Sequence, residues 1–282
     1  MRKSIIVFTV LCVVLGLSTL SFAVEKSVQQ APFERNAKMP VASAPKKLFP
    51  ATQPDTGKLP LYKPVYKPAP SGEKDLTSNT FTDINAILQG VRACRVVWGD
   101  YDTDGYLDFL VTGANASGQP IANIYRNNDN GTFTDINAGL IGVYGENVAW
   151  GDYDNDGYLD IFLGGQKPSG QRISNIYHNN GNGTFTDINA GLIGVLQSSV
   201  AWGDYDHDGY LDIVLTGNNF ATISTYSDTF SKIYHNNGNG TFMEDVDAEL
   251  IGVCRGSVVW GDYDNDGALD ILLTGRDATG QP

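Results

Sequence analysis

The chain has 282 residues, with 32 acidic against 19 basic side chains and a formal net charge of −13. Hydrophobic residues at 41% and aromatics at 11% exclude a wholly disordered chain, and the length suffices for one large or two ordinary domains. The acidic excess falls in residues 79–282, where 27 acidic groups face eight basic ones. That balance excludes a nucleic-acid phosphate partner, which needs a basic face, and suits cations.

Residues 1–23 read as a secretory signal peptide. Arg2 and Lys3 precede an apolar run, Ile5–Leu17, and Ser21-Phe22-Ala23 offers the small residues of a cleavage site. The run is shorter than the roughly 20 residues a bilayer requires. No second apolar span follows, so no transmembrane segment is expected in the mature chain. A secreted, extracellular or cell-surface location follows from this reading. Residues 24–78 hold nine of the twelve prolines and eight lysines. Proline this dense breaks helices and removes ladder donors from strands, which predicts an extended, disordered linker.

From residue 79 onward one unit recurs. Trp98-Gly99-Asp100-Tyr101-Asp102 returns at Trp150–Asp154, Trp202–Asp206 and Trp260–Asp264, with spacings of 52, 52 and 58 residues. The four tryptophans of the chain all take this position. Ile124-Tyr125-Arg126-Asn127-Asn128 and the triplet Gly131-Thr132-Phe133 recur behind it, at 176–180 and 183–185 and again at 233–237 and 240–242. Each unit predicts four short strands, in the second unit about 147–150, 159–163, 174–178 and 184–188. Asn130-Gly131, Asn182-Gly183 and Asn239-Gly240 are hairpin dipeptides between strands three and four. A four-stranded meander of about 50 residues, repeated, is the pattern of a β-propeller blade. The fold expected is therefore all-β, with three complete blades and a partial fourth.

Between strands one and two lies an aspartate-rich loop. Its carboxylates stand at positions 1, 3, 5 and 9: Asp100, Asp102, Asp104 and Asp108; Asp152, Asp154, Asp156 and Asp160; Asp204, Asp206, Asp208 and Asp212; Asp262, Asp264, Asp266 and Asp270. Glycine at position 6 allows a sharp turn, and the main-chain carbonyl of position 7 (Tyr106, Tyr158, Tyr210, Ala268) adds an oxygen. Two like charges about 4 Å apart repel by roughly 4 kcal/mol at an effective dielectric near 20, so such a cluster calls for a cation. Six to eight hard oxygens in irregular geometry suit Ca²⁺, about one ion per loop and four in all. An EF-hand is excluded, because its position-12 glutamate is replaced by Val111, Leu163, Leu215 and Leu273 and strands flank the loop.

The Asp-x-Asp-x-Asp-Gly-x-x-Asp loop, set between strands of a roughly 50-residue unit, resembles the FG-GAP/VCBS repeats of the integrin-α-type calcium-binding β-propeller. The resemblance covers about residues 79–282. It implies a propeller of seven or eight blades, of which this chain carries part, with Ca²⁺ held by the sixteen aspartates above. With the leader, it suggests a secreted bacterial member of that family. Thr80-Phe81-Thr82-Asp83-Ile84 reads as a fourth strand with no blade before it.

Successive strands reverse direction, so the calcium loops share one face, and a protein or carbohydrate ligand is expected on the opposite one. The third unit is six residues longer there and brings Phe220, Tyr226 and Phe230. Catalysis finds little support, since no nucleophile and base recur together. His178 and His235, where the first unit has Arg126, read as blade-surface residues, and His207 as an outward-pointing loop residue. Cys94 and Cys254 occupy non-equivalent positions and are not expected to pair. The function expected is a non-catalytic binding or adhesion module. The alternative is a lectin or a part of a carbohydrate-active enzyme whose active elements lie outside this chain.

Overall fold

A computed structural model describes residues 5–7, 83–84, 86, 88–219 and 228–281. Most of the expected leader, the whole expected linker, Thr80–Thr82, and Phe220 and Tyr226 lie outside the described residues. The described secondary structure is all strand. No helix among the described residues is long and apolar enough to cross a membrane.

Three units form four-stranded antiparallel meanders. The first is β2 (Arg92–Gly99), β3 (Asp108–Ala114), β4 (Pro120–Asn127) and β5 (Phe133–Asp135). The second is β6 (Tyr144–Gly151), β7 (Asp160–Gln166), β8 (Arg172–Asn179) and β9 (Phe185–Asp187); the third is β10 (Leu196–Gly203), β11 (Asp212–Asn218), β12 (Thr229–Asn236) and β13 (Phe242–Glu244). The fourth unit has β14 (Val258–Gly261) and β15 (Asp270–Leu273), and β1 (Ile5–Val7) lies parallel to β15 on the edge that strand three takes elsewhere. Blade-like sheets in this number match the expected architecture. Of the expected strand over 80–84, Thr80–Thr82 lie outside the described residues; Asp83 and Ile84 belong to no strand, and Ile84 is exposed.

The second strand of each complete unit is its buried centre. In β3 and β11 every residue is buried, because neighbouring strands flank both edges and apolar side chains cover both faces. The core lies between sheets. Leu110 and Ile124 of unit one meet Val148, Ile161, Leu163 and Tyr177 of unit two. Phe162 and Ile176 then meet Ile213, Leu215 and Tyr234, and Val214 and Ile233 meet Val258, Ile271 and Leu273.

One contact recurs at every boundary. Trp150 lies on Gly99, where an added Cβ would stand 2.7 Å from the indole, and its Nε1 reaches the Val97 carbonyl at 3.4 Å. Trp202 covers Gly151 and Trp260 covers Gly203, with virtual Cβ distances of 2.9 and 2.5 Å. The Trp-Gly dipeptide is thus split between neighbours: the tryptophan serves the sheet before it and the glycine admits the tryptophan of the sheet after it. Tyr101 packs on Phe185 and Tyr153 on Phe242 across the same boundaries, with ring centroids 6.0 and 5.8 Å apart.

Candidate metal centre

The hairpin between strands one and two has nine residues, Asp to Asp, and its conformation is the same in all four units. Position 4 is left-handed (Thr103, Asn155, His207 and Asn265, φ 58, 60, 64 and 58°), and the glycine at position 6 follows at φ 90, 92, 93 and 87°. A side chain at φ near +90° is strained, so glycine is required there. The backbone turns inside the carboxylates and donates to them. In unit one Gly105 N–H reaches Asp100 Oδ2 at 3.0 Å, and Asp104 N–H reaches Asp100 Oδ1 at 3.1 Å. Tyr106 N–H reaches Asp104 Oδ1 at 2.9 Å. Tyr158, Tyr210 and Ala268 N–H make that last contact to Asp156, Asp208 and Asp266 at 2.9, 2.8 and 2.8 Å, which ties position 7 to position 5.

The position-9 aspartates anchor the loops. Asp108, Asp160 and Asp212 are wholly buried. Asp108 accepts Tyr101 N–H at 3.2 Å and Asn127 N–H at 2.7 Å; Asp160 accepts Tyr153 and Asn179, and Asp212 accepts Tyr205 and Asn236, at 2.8–3.1 Å. Asp270 accepts Tyr263 N–H at 3.2 Å. Burial holds these carboxyls far above the usual carboxylate range, Asp108 to about 7, Asp160 to about 8 and Asp212 to about 6, against the pull of their backbone donors. Desolvation and the neighbouring carboxylates also raise Asp100, Asp102 and Asp152.

The expected ligands converge. One oxygen each from Asp100, Asp102 and Asp108 lies within 4.8 Å of the others, and so for Asp152, Asp154 and Asp160 and for Asp204, Asp206 and Asp212. Two oxygens mark where a cation fits: Asp152 Oδ1 and Asp204 Oδ1 are buried without a hydrogen-bond partner. A carboxylate oxygen removed from water and given no donor is costly, and a hard cation satisfies it. The donor set and these orphaned oxygens fit Ca²⁺. The fourth loop is more open, with Asp262, Asp264 and Asp266 exposed.

Strand three contributes side chains that the sequence reading placed on the blade surface. His178 Nδ1 lies 3.1 Å from Asp154 Oδ2 and 3.4 Å from Asp160 Oδ1, and His235 Nδ1 repeats both distances to Asp206 and Asp212. Arg126 takes the place in unit one, its Nε 3.0 Å from Asp102 Oδ2 and its Nη2 3.6 Å from Asp104 Oδ2. Both histidines therefore face the acidic loops, a correction to the surface assignment. His207 is exposed as expected. The next residue along ties sheets together: Asn179 Nδ2 donates to the Tyr101 carbonyl at 2.9 Å and to Leu159 at 3.1 Å, and Asn236 does the same to Tyr153 and Leu211 at 2.8 and 3.1 Å. The recurrent Tyr-x-Asn-Asn run was the available signal.

On the opposite face Phe230 belongs to β12, where it pairs with Val253 and packs, partly buried, against the core between units two and three. Cys94 and Cys254 are both free thiols.

A model of the FG-GAP-like repeat matches residues 100–163, 165–215 and 220–273, and one of the FG-GAP repeat matches 197–241. The chain belongs to the FG-GAP-like repeat family. It is similar to cartilage acidic protein 1 of Xenopus tropicalis, 28% identical over 169 residues, which is 56% of this chain and 26% of that protein. The chain thus spans about a quarter of that relative's length. Among solved structures it is similar to an Agrocybe aegerita lectin described for specific recognition of non-reducing terminal N-acetylglucosamine. That likeness has 20% identity and a TM-score of 0.40, covering 63% of this chain and 46% of the lectin.

Proposed function

We propose that this chain is a calcium-stabilised, extracellular β-propeller module that binds a protein or glycan partner and catalyses no reaction. The observation that carries the calcium part is the buried, partnerless Asp204 Oδ1 beside the fully buried Asp212, repeated at Asp152 beside Asp160. Bound Ca²⁺ would neutralise the clustered carboxylates and hold their oxygens in one rigid arrangement. The protein's own residues shape that arrangement: Gly209 and Asp208 N–H groups orient Asp204 and Asp206 at 3.1 and 3.3 Å, and Asn236 fixes Asp212. The aspartates so committed are poor general acids or bases, which supports a binding role over catalysis.

The partner face is assigned opposite the calcium loops. There the strand two–three turns of units one and two, and the turn after β15 in unit four, are short and closed by like hydrogen bonds, Gly118 to Asn115, Gly170 to Lys167 and Gly280 to Asp277, all at 2.9 Å. The third unit departs from them with its 219–228 connection, five residues longer than 115–119 and 167–171. Secretion rests on the leader sequence Arg2–Ala23. The test is calorimetric titration of chelator-stripped protein with CaCl₂, followed by protein and glycan arrays probed with and without calcium. Filling of the loops with a rise in melting temperature, and array binding lost when 219–228 is replaced by the Lys167–Gln171 turn, is the expected result. No calcium uptake, or no calcium-dependent ligand, overturns it.

A further inference from the structure

The four acidic loops divide into two kinds. In loops one and four both oxygens of the position-1 carboxylate are taken by the backbone. Asp104 N–H donates to Asp100 Oδ1 and Asp266 N–H to Asp262 Oδ1, both at 3.1 Å, while Gly105 and Gly267 N–H take Oδ2. Loops two and three keep the glycine contact, Gly157 to Asp152 Oδ2 and Gly209 to Asp204 Oδ2 at 3.1 Å. There the position-5 N–H bonds to position 3 instead, Asp156 to Asp154 and Asp208 to Asp206 at 3.3 Å. Asp152 Oδ1 and Asp204 Oδ1 are left buried without a donor, and Asp204 as a whole is only 6% exposed.

The same two loops are the ones that strand three faces with a histidine. His178 Nδ1 and His235 Nδ1 are buried and make no hydrogen bond, although each stands 3.1 Å from the position-3 carboxylate and 3.4 Å from the position-9 carboxylate. The tyrosine of loop position 2 meets each ring edge to face, Tyr153 with His178 and Tyr205 with His235, at 6.3 and 6.4 Å. Each of these loops thus holds a buried carboxylate oxygen and a buried imidazole nitrogen, neither with a hydrogen-bond partner. Atoms of His178, Asp154 and Asp156 lie within 4.8 Å of one another, as do those of His235, Asp206 and Asp208. In loop one Arg126 takes the strand-three place, and a guanidinium has no lone pair to offer a metal.

We infer that loops two and three are mixed nitrogen–oxygen sites that take a divalent transition ion of the Zn²⁺ class, with His178 Nδ1 and His235 Nδ1 as ligands beside the loop carboxylates. The inference rests on the reading of these loops as divalent-cation sites and narrows it. Oxygen-only sets suit Ca²⁺, whereas a neutral imidazole nitrogen favours zinc, cobalt, nickel and copper. Bonds of about 2.0–2.2 Å place neighbouring donors of a four-coordinate zinc roughly 3.3 Å apart. His235 Nδ1 stands at 3.1 and 3.4 Å from Asp206 Oδ2 and Asp212 Oδ1, and His178 repeats that spacing. The transition ion therefore competes with Ca²⁺ for loops two and three, and loop one is left to Ca²⁺.

The test strips the full chain with chelator, moves it to metal-free buffer and titrates it with Co²⁺, read by visible absorption, and with Zn²⁺, read by calorimetry. CaCl₂ is titrated in parallel. Uptake of one transition ion for each histidine-bearing loop is expected. His178→Asn and His235→Asn should each remove one of these ions, and the double variant both, with folding checked by the melting temperature in calcium. The third histidine of the chain, the exposed His207, is the control. His207→Asn should remove none, and asparagine already takes that left-handed position in loops two and four, at Asn155 and Asn265. A readout that needs no loop-histidine variant is pulsed EPR of the Cu²⁺-loaded His207→Asn protein, which should show imidazole nitrogen coupling.

Absence of that coupling overturns the inference. So does cobalt uptake that survives in the double variant, or that is lost only with His207→Asn. Calcium uptake without histidine-dependent cobalt uptake overturns this inference and leaves the calcium reading standing. Histidine-dependent cobalt uptake without calcium uptake supports this inference and removes the calcium reading.

Discussion

Asn179 donates one amide hydrogen to the Tyr101 carbonyl across the sheet boundary at 2.9 Å and the other to Leu159, beside its own loop, at 3.1 Å. A single side chain thus links two acidic loops. Its backbone N–H meanwhile holds Asp160 at 2.8 Å. Removing the amide leaves two carbonyls short of donors at a buried boundary. Asn179→Ala is expected to destabilise the chain by about 3 kcal/mol, measured by urea unfolding in calcium. A change below about 0.5 kcal/mol, the range of an ordinary surface substitution, would show that the bridge carries little.

The glycines under the tryptophans give a paired prediction. A Cβ at Gly203 would stand 2.5 Å from Trp260, whereas one at Gly261 meets nothing within 4 Å. Gly203→Ala is expected to cost about 2 kcal/mol through displacement of the indole. Gly261→Ala is expected to leave the melting temperature unchanged. Equal effects would remove the seam as the reason for the Trp-Gly dipeptide.

Acidity and calcium act on the same carboxyls. Burial raises Asp108, Asp160 and Asp212 to about 7, 8 and 6, above the ordinary value near 3.9 of an unfolded aspartate. Groups raised on folding favour the protonated native state, so their stabilisation is full below the unfolded value and is lost as pH rises through the folded values. In a chelator, melting temperature should therefore fall as pH rises from about 5 to about 8. With excess Ca²⁺ the ion replaces the protons, and the melting temperature at the alkaline end should recover. Scanning calorimetry over that range, with and without calcium, decides; a chelated protein whose melting temperature stays flat contradicts the assignment.

The loops should not fill alike. Arg126 already brings a positive charge to Asp102 and Asp104, where units two and three have His178 and His235. A fixed cation several ångströms from a divalent ion opposes it by on the order of 1 kcal/mol in a half-exposed site. Arg126→Ala is expected to tighten the weakest calcium-binding step by about tenfold, read by calorimetric titration. An unchanged isotherm would mean that the guanidinium swings clear of the ion.

Much of this arrangement was legible in the chain. Trp98, Gly99 and the aspartates recur at a near-constant interval, and fourfold recurrence fixes both strand order and loop conformation before any coordinate. What escaped was contact made through the sheet. His178 lies eighteen residues from Asp160 in sequence, and only the pairing of Ile161 with Tyr177, continued one step, puts the two together. The variable residue in Tyr-x-Asn-Asn hid this, because histidine and arginine there share a place but not a chemistry. For Phe230 the sequence showed only an aromatic near a long connection; its pairing with Val253 and its packing against the core come from the sheet. The tryptophans were readable as landmarks, but that each serves the preceding sheet is a fact of stacking, which no single unit's pattern contains.

That division of labour has a consequence for how such chains grow. Every seam is specified by residues that each unit carries in duplicate roles, one set looking back and one looking ahead. A copied unit inserted anywhere therefore meets neighbours it already fits, and its removal leaves flanking units that fit each other. Stability then accumulates pair by pair, as in a one-dimensional lattice. Gene duplication can lengthen the series without inventing an interface, leaving selection free to act on the connections between strands two and three.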